Sequence, residues 1–186
     1  MIWSLLKRKK SNAALVTRQY EAITAAARSP VFYEEMDAPD TVIGRFEMIT
    51  IHLVLYLRRT AASGPAVQGL AQEVLEAFFE DVDHSIRELG IGDTGVPKRM
   101  KKFARMFYGR ANSYGEALEV PDQAALAEAL SRNIHPDAGV AAPSMQALAE
   151  WMMRTATALQ RVGEDTLASG QLEFTADHAG SKDRAG

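Results

Sequence analysis

From Ile43 to Leu57 the chain sets down apolar side chains almost all the way round any helix it can form. The densest part, Met48-Ile-Thr-Ile-His-Leu-Val-Leu-Tyr-Leu57, leaves no broad polar face. Such a helix has to be covered on every side. Crossing a bilayer would take about 20 apolar residues in a row. This run is shorter, and it is flanked by Arg45 and Glu47 on one side and by Arg58 and Arg59 on the other. It is therefore expected to be the central helix of a bundle. The rest of the chain has to supply the covering helices, and a hydrophobic content of 47% in 186 residues is enough for that core.

The punctuation agrees with an all-α chain. Ser11 or Asn12 is expected to cap a first helix that runs to Arg28 and stops before Ser29-Pro30. A short helical turn follows Pro30. Asp40 precedes the apolar helix, Thr41 to Ala61. Ser63-Gly64-Pro65 breaks the chain, and Pro65 suits the first turn of the next helix. That helix runs to about Leu89, where Gly90 is a natural stop. A loop over 90–95 leads to a helix from about Pro97 to Glu119. Pro121-Asp122 opens another, which ends before His135-Pro136. Asp137 to Pro143 reads as a linker, and Ser144 is expected to cap a last strong helix ending at Gly163. The stretch 171–176 has an extended character. The expected architecture is a single helical bundle of about six or seven helices, with no internal repeat and no convincing alternating strand in its body. The chain divides into a basic N-terminal tail (1–10), a helical domain (11–170) and a polar C-terminal tail (171–186) expected to be disordered.

Bulk charge removes some functional classes. A net charge of −3 argues against nucleic acid as a default partner, because phosphate binding needs a basic field. The absence of cysteine excludes disulfides, thiolate metal sites and cysteine nucleophiles. The N-terminus, Met1-Ile-Trp-Ser-Leu-Leu-Lys-Arg-Lys-Lys10, has its charge after a short apolar stretch, the reverse of a secretory signal. It reads either as a frayed end or as a foot on an anionic membrane, with Trp3, Leu5 and Leu6 inserted and Lys7 to Lys10 held by lipid charge.

Local charge is strongly segregated. At about 100° per residue, Val74, Leu75, Phe78, Phe79, Val82, Ile86 and Leu89 share one face of their helix. Glu73, Glu76, Glu80 and Asp83 share another. Asp81 falls near the apolar side and is expected to be half-buried, paired with an Arg of a neighbouring helix. The following helix is the opposite. It carries Lys98, Arg99, Lys101, Lys102, Arg105 and Arg110, with no acid between Val96 and Ala111. Met100, Phe103, Ala104, Phe107 and Ala111 fall on one side of it, and Lys98, Lys101, Lys102 and Arg105 on the other. Like charges so spaced cost a few tenths of a kcal/mol per pair in an isolated helix, roughly, so packing must offset them. Two readings stand: a solvated face neutralised by the acidic helix before it, or a docking surface for an acidic partner, ribosomal RNA or lipid head groups.

Catalytic signals are thin. Gly92-Asp-Thr-Gly-Val-Pro-Lys98 precedes a helix, but no Gly-Lys-Ser/Thr follows and no strand leads in, so a helix-helix corner is expected rather than a phosphate loop. Asp81-x-x-His84 has the form of half a di-metal carboxylate site, yet the second motif such bundles require is missing. His52 lies in the apolar helix and is expected to be a satisfied core histidine. No catalytic residue, cofactor or metal is assigned.

The run from Asp81 to Tyr114 carries a recognisable signature. Its elements are Asp81 and Asp83, Arg87-Glu88-Leu89-Gly90, Gly92-Asp93, Val96-Pro97-Lys98, Met100-Lys101, Gly109-Arg110 and Tyr114. Together with Arg45-Phe46 and Leu57-Arg58-Arg59, it resembles the ubiquinol-cytochrome c chaperone family over about residues 15 to 163. The resemblance implies an all-helical, non-enzymatic assembly chaperone for the cytochrome bc1 complex, which binds newly made cytochrome b or an assembly intermediate. Mitochondrial members work near the ribosome with a partner assembly factor. This chain shows no transit-peptide-like extension, so a bacterial member is expected, in the cytoplasm or at the inner face of the membrane, with peripheral contact to the ribosome or an anionic membrane. The family has no catalytic residues to carry over. The expected partner-binding residues are Asp81, Asp83, Arg87, Lys98, Arg99, Lys101, Lys102, Arg105, Arg110 and Tyr114. The alternatives are a small helical metal-dependent enzyme, or a peripheral membrane scaffold.

Overall fold

The computed structural model describes residues 2–88, 90 and 92–174, with side chains from Asn12 onward. Its helices are α1 (Ile2–Ala27), α2 (Pro30–Glu34), α3 (Val42–Thr60), α4 (Pro65–Glu88), α5 (Val96–Glu119), α6 (Gln123–Ile134), α7 (Gln146–Leu159) and α8 (Glu164–Ala168), with a 3₁₀ turn at Gly139–Ala141 before α7. The described residues contain no strand. The architecture is the all-α bundle expected, with two five-residue helices, α2 and α8, added to the long ones.

α3 is central. It packs against α1, α4, α5 and α7, and Met48, Ile51, Leu53, Val54, Leu55 and Tyr56 are all buried. Full burial of one such aliphatic side chain stabilises by about 1.5–3 kcal/mol. The start of α3 is fixed by Thr41, whose hydroxyl accepts the Gly44 N–H at 3.0 Å. Gly44 has no room for a side chain, because a Cβ there would fall on the Pro39 carbonyl. No described helix is long and apolar enough to cross a membrane.

The two arginines at the end of α3 have structural work. Arg59 donates to Leu159 O at 2.8 Å, to Val162 O and to Ser63 Oγ. Arg58 donates to Leu118 O at 3.0 Å and Gly115 O at 3.4 Å. The last carbonyls of a helix lack partners within it and form its negative end. One guanidinium therefore closes α7 and its neighbour closes α5.

Several local expectations change. α1 does not start at Ser11 or Asn12 but runs through both from Ile2. Asn12 instead donates to Glu73 of α4 at 3.0 Å. Ser144 does not cap α7; the residue before that helix is Met145, at φ 53°. Its buried side chain explains why a hydrophobe holds this left-handed position. α7 ends at Leu159 rather than Gly163, and a turn leads into α8. Gly90 does close α4, at φ 76°. Residues 171–174, grouped with the polar tail, are docked: Gln19 exchanges two 3.1 Å hydrogen bonds with the backbone of Leu172, which is itself buried. Leu89, the side chains of the N-terminal foot and the tail from 175 onward lie outside the described residues.

Candidate docking surface

α5 positions the signature, and its two faces treat cations differently. The inner stripe places Phe107 and Tyr114 in the core, with Phe103 against Phe46 of α3 at 4.9 Å between ring centroids. Arg110 lies on this stripe, seven residues after Phe103 and four before Tyr114. It is buried, as is Glu47 of α3, and the two form a bidentate pair. Arg110 also reaches Met106 O at 3.1 Å and Asn133 O at 3.4 Å, which ties α3, α5 and α6 together. Burial pushes the Glu47 carboxyl above its usual range, while the hydrogen bonds and charge of Arg110 pull it back. Tyr114 is fully buried, and burial followed by the nearby Glu47 charge raises its phenol. Arg110 and Tyr114 are therefore inside the protein, which corrects their reading as surface partner-binding candidates. The missed residue is Glu47. Its signal was an acid within the helix that has no exposed side.

The outer face of α5 carries the other cations. Lys98, Arg99, Lys101, Lys102 and Arg105 are all exposed. None comes within 4.0 Å of an acid among the described residues. The acidic face of α4 does not pair with them. Two of its four acids are engaged elsewhere, Glu73 by Asn12 and Asp83 by Arg87. Below Arg105, Tyr108 is 58% exposed, with its ring against Phe107 at 5.4 Å and Phe79 at 6.3 Å.

The acidic members of the signature build the corner that aims α5. Arg87 Nε donates to Asp83 at 2.7 Å, and its Nη1 to Asp93 at 2.6 Å. It thus bridges the end of α4 to the loop before α5. These two carboxylates raise the Arg87 guanidinium above its ordinary value. Asp81 is exposed, and its partner is not an arginine but the Tyr20 hydroxyl of α1, which donates at 2.8 Å. Burial, then this hydrogen bond, lifts the Tyr20 phenol. His84 pairs with Glu88 at 3.2 Å on the surface. Among the described residues no three His, Asp or Glu side chains are placed to hold a metal ion.

His52 occupies the opposite side of α3. Its Nδ1–H donates to Met48 O at 2.8 Å, and its ring is enclosed by Phe32, Trp151 and Phe174. Burial holds the imidazole down to about 4. It is a neutral core residue, and its buried Nε2 has no hydrogen-bond partner among the described residues.

Residues 34–174 match the model of the family described as Ubiquinol-cytochrome C chaperone. The chain is 25% identical over 142 residues to Ubiquinol-cytochrome-c reductase complex assembly factor 1 of Xenopus laevis, covering 76% of this chain and 70% of that protein. It is 23% identical over 158 residues to the Mus musculus factor of the same name, covering 84% of this chain and 53% of that one. The chain thus spans about half the length of the mouse relative. The crystal structure of the Cbp3 homolog from Brucella abortus is similar at TM-score 0.83 and 49% identity, over 94% of this chain and 97% of that one.

Proposed function

Since this chain belongs to the ubiquinol-cytochrome C chaperone family, we propose that it is a non-enzymatic assembly chaperone for the cytochrome bc1 complex, holding newly made cytochrome b or an assembly intermediate. The observation that carries the reading at residue level is the outer face of α5, where five exposed cations have no acid within 4.0 Å among the described residues. Surface cations left unpaired and pointing one way create a field that steers acidic partners. The buried Glu47–Arg110 pair and the Arg87 bridge set the position of this face but do not take part in binding. The client is held by acidic segments, and the protein works at the inner face of the membrane where that client is inserted. No cofactor enters the function.

Deletion of the gene in its host tests this directly. Assembled bc1 complex should fall while other respiratory complexes keep their levels. A clean deletion with normal bc1 content overturns the proposal.

A further inference from the structure

Gly109 occupies the middle of α5, where glycine is a poor choice. A helix-interior glycine is destabilising relative to alanine, because it loses more backbone freedom on folding. Gly44 has a steric reason, against Pro39, whereas Gly69 and Gly115 have nothing within 4 Å of a Cβ and neither lies among the cations of the basic row. At Gly109 a Cβ would meet nothing within 4 Å. The fold therefore does not explain it. Its position does. Lys98, Lys102, Arg105 and Gly109 follow one another at spacings of four, three and four, so Gly109 continues the basic row as a flat step. Tyr108 stands exposed at its side, its ring already fixed by Phe79 and Phe107. Two to three turns on, the exposed row changes sign at Glu116 and Glu119.

We propose that Gly109 is the crossing point of a docked α-helix from the protein client. The distance between packed helix axes depends on the side chains at the contact, and a glycine lets the backbones approach closest. The partner helix carries acids opposite Lys98, Lys101, Lys102 and Arg105, a small residue over Gly109, and bases opposite Glu116 and Glu119. The sign change along α5 fixes which charged end of the partner lies over which end of α5. A pre-ordered exposed tyrosine beside the crossing point supplies the kind of anchor that dominates helix docking. The inference rests on the reading that a client is held by the basic face, and adds to it the form of the client's contact.

The test uses the full chain, immobilised, with cytochrome b from cell-free translation as the probe and anionic phospholipid vesicles as a second probe. Gly109→Ala should raise the thermal unfolding midpoint by about 2–4 °C, yet weaken capture. Gly109→Gln, neutral and longer, should lower capture about tenfold or more while the protein stays folded. Gly69 of α4 serves as control, since it is exposed and also has nothing within 4 Å of a Cβ. Gly69→Ala should stabilise similarly and leave capture unchanged. Stability gained with binding lost at position 109 but not at 69 is the expected signature. If both Gly109 variants capture like wild type while Lys98→Glu/Lys101→Glu/Arg105→Glu does not, the helix contact is overturned and the basic-face reading survives. If wild type binds the vesicles but captures no cytochrome b, both fall.

Discussion

Arg105 and Arg110 sit five positions apart on one helix and have opposite environments. Arg105 projects into solvent, whereas Arg110 is buried against Glu47. Removing one partner of a buried pair leaves a charge with nowhere to go, at a cost of about 3–5 kcal/mol. Arg110→Met is therefore expected to lower stability by that amount in urea unfolding, and the double change Glu47→Leu/Arg110→Met to recover a large part of it. A double variant that loses as much as Glu47→Leu and Arg110→Met added together would show that the pair is not coupled. His52 makes a pH prediction. Its folded pKa of about 4 lies below the ordinary value of 6.5, so between these values the unfolded chain binds more protons than the folded one. Stability from this group is complete above pH 6.5 and is lost as pH falls towards 4, on the order of 3 kcal/mol at most. His52→Phe should flatten the slope of stability against pH in that window. An unchanged slope would mean that another group titrates there.

At the scale of elements, helix ends decide more than helix bodies. α3 finishes with two arginines that close two other helices, a cap supplied in space rather than in sequence. Charge-assisted hydrogen bonds of this kind are worth about 1.5–3 kcal/mol. Arg59→Leu should therefore cost about 2 kcal/mol in thermal or urea unfolding and loosen the turn between α7 and α8, visible as faster amide exchange at Arg161 and Val162. Arg132→Leu, which breaks only the exposed pair with Glu128, should stay within about 1 kcal/mol of wild type. Comparable losses in the two variants would deny Arg59 its capping role.

Among the residues whose side chains are described, the outer face of α5 gathers five exposed cations on one helix. Because Lys98, Lys101 and Arg105 have no acid within 4.0 Å among the described residues, reversing them to Glu removes no ion pair. Exposed charges contribute little individually to stability, so the triple variant should unfold near the wild-type midpoint. Its capture of the client should be abolished, since reversal puts like charge against the partner. Wild-type binding should weaken with added salt, because screening at about 0.1 M limits exposed charges to about 10 Å. A folded triple variant that captures at wild-type strength would remove the basic face from the mechanism.

Sequence alone determined the period and the punctuation. An apolar run with no polar side can only be a covered helix. Gly90, Asp122 and the prolines in the first turns of α2, α4 and α5 act within a turn of themselves, so the helix order and most boundaries were legible from local rules. The amphipathic split of α5 was legible for the same reason. Tertiary structure alone decided partnership. Arg110 looked like one more member of a basic cluster, and only the arrival of Glu47 from 63 positions away made it a core residue. Asp81 met a tyrosine rather than an arginine because α1 packs beside α4. Met145 took the turn that Ser144 seemed suited to because its side chain is buried there. Pairings of this kind depend on which helices become neighbours, and that choice is made by the summed burial of all their faces rather than by any residue's own preference.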